Sequence, residues 1–163
     1  MYRKRRWTLP VNRCWQRRVA ADAFFLSLYT VDLQPGEIVA GADVPVAGLG
    51  DWFGFDELSR RHGDYATAGL AVAARFEGRI VRALRLAFLG LDATPVRARR
   101  TETLLAGKIL DEATIAIAVA SLQGELDPIA DLTHESGTKR HLATVLARRL
   151  LAAADAARSA VTA

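Results

Sequence analysis

Two apolar runs, Thr67–Phe76 and Arg79–Leu89, meet at Glu77-Gly78. This arrangement predicts a β-hairpin, because glycine admits the backbone angles that tight turns require. The second run carries two periods at once. Ile80, Leu84, Leu86 and Phe88 suit a strand, whereas Ile80, Leu84, Phe88 and Leu91 suit a helix. The turn signal favours the strand. Downstream the pattern becomes helical. Thr94-Pro95 offers an N-cap and a first-turn proline, Gly107 a stop, Asp111 a second N-cap and Pro128 an interruption. The spacing predicts helices at roughly 97–106, 111–123 and 137–158. In the last of these, Leu142, Val145, Leu146, Leu150 and Ala153 share the buried face, with Arg140, Arg148 and Arg149 off it. Strands followed by helices predict an α+β fold, with a small antiparallel β-sheet, from about Phe55 to Leu89, packed against a three-helix C-terminal bundle.

Upstream, Phe24-Phe25-Leu26-Ser27-Leu28-Tyr29-Thr30 is apolar and aromatic. Gln34-Pro35-Gly36-Glu37 places Pro and Gly at the centre of a type II turn. Ile38 to Val44 reads as a strand ending at Pro45. Gly48, Gly50 and Gly54 lack the G-x-G-x-x-G spacing and give no phosphate-binding signal.

The chain has 163 residues, 51% of them hydrophobic, enough for one domain or one small domain with an appendage. It contains no apolar run of about 18 residues, so neither a membrane span nor a membrane partner is expected. One cysteine, Cys14, excludes an internal disulfide and a Cys-based zinc or iron–sulfur site within the chain. A reducing cytoplasm is the expected location.

Charge is unevenly placed. Seven of the 22 basic residues, Arg3, Lys4, Arg5, Arg6, Arg13, Arg17 and Arg18, precede the first acid, Asp22. The body then carries 15 basic and 18 acidic residues, a balance of −3. Such an arm suits nucleic acid or anionic lipid, with Trp7 and Trp15 available for stacking, or it is a solvated tail. The tail is the expectation, so a nucleic-acid partner is not. No apolar h-region follows the charges, so the arm is not a secretory signal.

Chemistry-bearing residues are few. His62, His134 and His141 have no metal-ligand spacing, and no H-E-x-x-H, G-x-S-x-G or Walker A pattern occurs. Cys14 lies among cations that would lower a thiol pKa, without an evident histidine partner. Gly63-Asp64-Tyr65 is the better candidate for a planar ligand. Glycine allows close backbone approach, aspartate accepts from a ring N–H, and tyrosine supplies an aromatic face. Alone, the tripeptide is common and reads as an ordinary turn into a strand.

Arg61-His62-Gly63-Asp64-Tyr65-Ala66 resembles the R-x-G-D-Y-A segment in the flavin-binding medium subunit of the molybdenum hydroxylases, the carbon monoxide dehydrogenase and xanthine dehydrogenase family. The likeness extends along the chain. Phe24–Thr30, Gln34–Val39 and Val44-Pro45 are similar to the family's F-F-x-G-x-(F/Y)-T, P-G-E-(I/L)-(L/V) and V-P stretch. Leu89–Ala98 resembles G-V-(A/G)-x-T-P-x-R-A, and Leu105–Glu112 resembles L-x-G-K-x-L-D-E. Lys139–Leu142, Val145-Leu146 and Arg148-Arg149 resemble the closing Y-R-x-H-L-x-x-V-L-x-R-R helix, with Thr138 in place of its tyrosine.

The resemblance implies three divisions: residues 1–19, a basic arm outside the fold; residues 20–53, the end of an FAD-binding domain; and residues 54–163, the C-terminal domain of the flavoprotein subunit. It implies FAD contact at Asp64 and Tyr65, and at Ile38 and Val39, in the complete subunit. It also implies partners: a large subunit with the molybdenum cofactor and a small iron–sulfur subunit. Electrons would pass from iron–sulfur clusters through flavin to an external acceptor, making the complete subunit part of an oxidoreductase. The family's A-G-G and T-I-G-G phosphate-binding segments have no counterpart here. A truncated or split frame is therefore expected, completed by a separate N-terminal FAD-binding fragment, with this chain alone inactive and weak or empty for FAD. The alternative is a non-catalytic interaction module that docks on a partner without flavin.

Overall fold

The computed structural model describes residues 16–61 and 63–162, which fall into two compact units divided after Ala47. Expectations for Trp7, Cys14, Trp15 and His62 lie outside the described residues.

The first unit contains a short helix α1 (Ala21–Phe24) and two short antiparallel strands, β1 (Phe25–Ser27) and β2 (Thr30–Val31). Phe25 opposes Val31, and Ser27 opposes Thr30. The Phe24 and Phe25 rings meet edge to face, centroids 5.3 Å apart. Gln34–Glu37 closes as expected, with Glu37 N donating to Gln34 O at 2.9 Å and Gly36 at φ +84°. Ile38–Val44, however, forms no strand. An extended segment becomes one only where another backbone lies alongside to satisfy its N–H and C=O groups. Val19 is buried, and Arg17 is bonded to Asp32 and Glu37.

The second unit holds the α+β fold. Strands β3 (Asp51–Leu58), β4 (Ala68–Glu77), β5 (Ile80–Leu89) and β6 (Val96–Arg97) form one antiparallel sheet in sequence order. The hairpin is present one residue later than expected, with Gly78-Arg79 at its centre, Glu77 opposite Ile80 and Gly78 at φ +58°. Alternation decides the ambiguous run in favour of a strand. Leu84, Leu86 and Phe88 are buried, as are Leu70, Val72, Ala74 and Phe76 across the ladder.

Helices α2 (Arg99–Leu105), α3 (Glu112–Glu125) and α4 (Ser136–Thr162) complete the core. Helix α4 packs on β3 and β4, and α2 on β5. The face of α4 is turned from the expected one. Ala143, Leu146, Ala147, Leu150, Leu151 and Ala154 are buried, Leu142 and Val145 only half-buried, and Ala153 exposed. The alanines explain the rotation, because small side chains let the helix axis approach the sheet and the larger ones then flank the contact.

Thr94-Pro95 does not start α2. Val96 and Arg97 first pair with Phe88 and Ala87 as β6, and the N-cap, Ala98, makes no side-chain cap. The cap comes from the neighbouring helix. Glu125 accepts from Arg100 N at 2.7 Å and from Thr101 N at 2.9 Å, satisfying two first-turn donors. Asp111 does cap α3, accepting from Thr114 N at 2.8 Å.

Candidate functional site

Strand β3 ends at Leu58, and the chain returns where Thr67 N donates to Leu58 O at 2.8 Å. The loop between them carries the Gly63-Asp64-Tyr65 signature. Ser59 Oγ donates to Arg61 O at 2.8 Å, and Asp64 N donates to the same carbonyl at 3.2 Å. Gly63 sits at φ +80°, a conformation that makes glycine the residue of choice there. Asp64 Oδ1 accepts from Tyr65 N at 2.9 Å, leaving its other oxygen to accept from a ligand N–H. Tyr65 is 89% exposed, its ring displayed rather than packed.

The exit of this loop is firmly seated. A Cβ at Gly90 would lie 2.8 Å from Thr67 O and 2.9 Å from Ala66 O, so only a glycine lets the two segments pass this closely. Gly90 is also at φ +78°. From α4, the buried Lys139 donates to Gly90 O at 3.1 Å and pairs with Asp131 at 2.7 Å. The Lys139 ammonium, with the Thr133 and His134 amides and the Thr133 hydroxyl, holds the Asp131 carboxyl well below the usual carboxylate range. A buried ammonium on the last helix thus supports the segment that follows Tyr65. Sequence reading passed over Lys139, because a lysine beside Arg140 on an amphipathic helix looks like a surface residue. Its burial and its bond to Gly90 O, a residue 49 positions away, distinguish it.

Asp64 and Tyr65 stand together in the second unit. Ile38 and Val39 belong to the first, in a stretch outside any strand where both are exposed. His134 bonds locally to Thr133 Oγ1 through Nδ1 at 2.8 Å, and His141 is exposed on α4. Among the described residues there is no cluster of three or more His, Cys, Asp or Glu suited to a metal ion, and no helix is long and apolar enough to cross a membrane. An open cavity of about 370 Å³ lies between α3 and α4, lined by Leu110, Ile115, Ala152 and Ala156 together with Glu112, Arg148 and Asp155. None of the loop residues lines it.

Residues 53–154 match the model of the CO dehydrogenase flavoprotein C-terminal domain. The chain is 31% identical over 139 residues to the carbon monoxide dehydrogenase medium chain of Hydrogenophaga pseudoflava, covering 85% of this chain and 48% of that one. It is 32% identical over 142 residues to the 6-hydroxypseudooxynicotine dehydrogenase complex subunit alpha of Paenarthrobacter nicotinovorans, covering 85% and 47%. Among solved structures, quinoline 2-oxidoreductase from Pseudomonas putida 86 superposes with a TM-score of 0.83 at 28% identity, over 94% of this chain and 53% of that one. The chain spans about half the length of the curated relatives it matches.

Proposed function

Because this chain belongs to the CO dehydrogenase flavoprotein C-terminal domain family, the C-terminal part of the FAD-binding subunit of molybdenum hydroxylases, we propose that it contributes the ring-contacting wall of a flavin site. The residues assigned to the ring are Asp64 and Tyr65, with Ile38 and Val39 as further apolar contacts. The observation that carries this reading is the β3–β4 loop. It has hydrogen bonds at Arg61 and Thr67, a seated exit and an aromatic ring left in solvent at a position the family match covers.

The residues present fit part of such a group. Tyr65 offers a face for stacking, Asp64 an acceptor for a ring N–H, and Ile38 and Val39 apolar edges. When bound, FAD supplies the redox chemistry; this chain's residues bind it, orient it and shield it from water. Nothing in the sequence provides the glycine-rich nest that a pyrophosphate needs. The chain alone therefore holds FAD weakly or not at all. In the complete complex, with large molybdenum and small iron–sulfur subunits in the cytoplasm, the subunit stands on the electron path from the clusters to an external acceptor.

The immediate neighbour of this region is the FAD-binding half of the flavoprotein found in the relatives. Phe25, Leu26, Leu28, Tyr29, Val44 and Val46 are all about half exposed or more. Burying such side chains is worth about 1.5–3 kcal/mol each, enough to drive association.

The test is to combine the chain with the upstream half of the Hydrogenophaga pseudoflava medium chain and to substitute Tyr65→Ala. Flavin affinity or reduction potential is expected to change in the variant. If neither changes, Tyr65 is not at the ring. A stable complex that binds no flavin would favour the interaction-module reading instead.

A further inference from the structure

We infer that the end of the basic arm is a brace, and that Arg17 is the positioning residue that sets the backbone of Ile38 and Val39. The inference rests on the proposed contact of Ile38 and Val39 with the flavin ring.

Arg17 grips three acceptor groups. Its Nε and Nη2 bond the two oxygens of Glu37 at 2.9 and 2.7 Å, and its Nη1 bonds Asp32 Oδ2 at 2.8 Å. Nη2 also donates to the backbone oxygen of Asp32. A guanidinium set fork-on-fork against a carboxylate is directional, which a single point charge is not. Glu37 is locked from its other side as well, because its Oε2 accepts from Gln34 N at 2.7 Å. Arg17 therefore fixes the residue immediately before Ile38.

Arg18 reaches across the other end of the same stretch, its Nη1 lying 3.4 Å from Asp43 Oδ2. The two pairs bracket Ile38–Ala42. That stretch forms no strand, and Ile38 is 68% and Val39 46% exposed. Neither a sheet ladder nor a packed core sets its course, so the tethers at its ends carry that task. They are unequal. The Arg18–Asp43 pair is exposed on both sides and contributes little, whereas the Arg17 side chain is 36% exposed and fully engaged. Bonding to Arg17 and to Gln34 N lowers the Glu37 carboxyl to about 2, so the clamp stays ionised at any working pH. The brace also reassigns the arm's last two cations: they answer acids of their own unit rather than the phosphates of a nucleic acid.

Two measurements test this, and the first needs no flavin. In the full chain, Arg17→Ala should lower the NMR order parameters of the Ile38 and Val39 amides from about 0.85 to below about 0.6, while those of β4 and β5 stay unchanged. Unchanged values at Ile38 and Val39 would overturn the brace. The second is made on the chain joined by the upstream half. There Arg17→Ala should weaken FAD binding by about tenfold or more, and Arg18→Ala by less than about twofold. The visible circular dichroism of bound flavin should change in the first variant only. Arg17→Lys keeps the charge but loses the fork, and it carries the test if Arg17→Ala unfolds the unit; it should fall between wild type and alanine in both readouts. Loss of order without loss of FAD affinity would overturn the positioning role. Failure of the wild-type complex to bind FAD would instead refute the flavin reading, with the order parameters still judging the brace.

Discussion

At the scale of single residues, exposure separates the side chain proposed to meet a ligand from those that serve the fold. Tyr65 is 89% exposed and packs on nothing. Tyr65→Ala should therefore leave stability within about 0.5 kcal/mol of wild type in thermal or urea unfolding, while changing flavin affinity in the completed subunit. Gly90 is the opposite case. Gly90→Ala adds a Cβ 2.8 Å from Thr67 O in a backbone at φ +78°, and two backbones must move apart to admit it. A loss of at least about 2 kcal/mol in urea unfolding is expected. The glycine turn was legible in the sequence because Gly63 at φ +80° is a local requirement, whereas the roles proposed for Asp64 and Tyr65 come from the family resemblance. The seat beneath them was not. Lys139 and Gly90 lie 49 positions apart, and nothing in either neighbourhood announces the bond between them.

At the scale of elements, local chemistry was a sound guide where the partner was also local. Asp111 caps α3 through Thr114 N, three residues away. Asp111→Ala should cost about 1 kcal/mol, read as a lower urea midpoint with an unchanged slope. Thr94-Pro95 misleads for the complementary reason. A strand partner in β5 and a cap from Glu125, both remote in sequence, displaced the local signal. The stretch after Glu37 has β-type residues but pairs with no neighbouring strand, so propensity alone made no strand. Strand pairing also sets the response to acid. Asp51 and Arg75 are opposed on β3 and β4, and bonding to Arg75 lowers the Asp51 carboxyl to about 2 from an ordinary 3.8. A carboxylate with a depressed folded pKa adds stability that is complete above its unfolded pKa and lost as pH falls through the folded one. Stability should thus decline between about pH 4 and pH 2, with Asp131 acting in the same direction. Asp51→Asn should flatten this limb in urea titrations; a limb as steep as wild type would assign the acid response to other groups.

At the scale of the whole molecule, the order of strands and helices gave the α+β architecture, because an interior face with period two and a long amphipathic helix can bury each other in few ways. The first unit leaves Phe25, Leu26, Leu28 and Tyr29 exposed, so the isolated chain should self-associate at tens of micromolar concentration and be held in solution by the upstream half. A clean monomer in sedimentation would remove the apolar surface as a docking face. The same division of labour governs the cofactor: ring contacts alone leave the two phosphates in water, and the cost of ordering a large ligand is poorly offset. The most direct measurement is FAD retained through gel filtration, read by absorbance near 450 nm, for the chain alone and for the chain with the upstream half. The account predicts negligible flavin in the first and stoichiometric flavin in the second. Stoichiometric FAD on the isolated chain, or none on the complex, would contradict it.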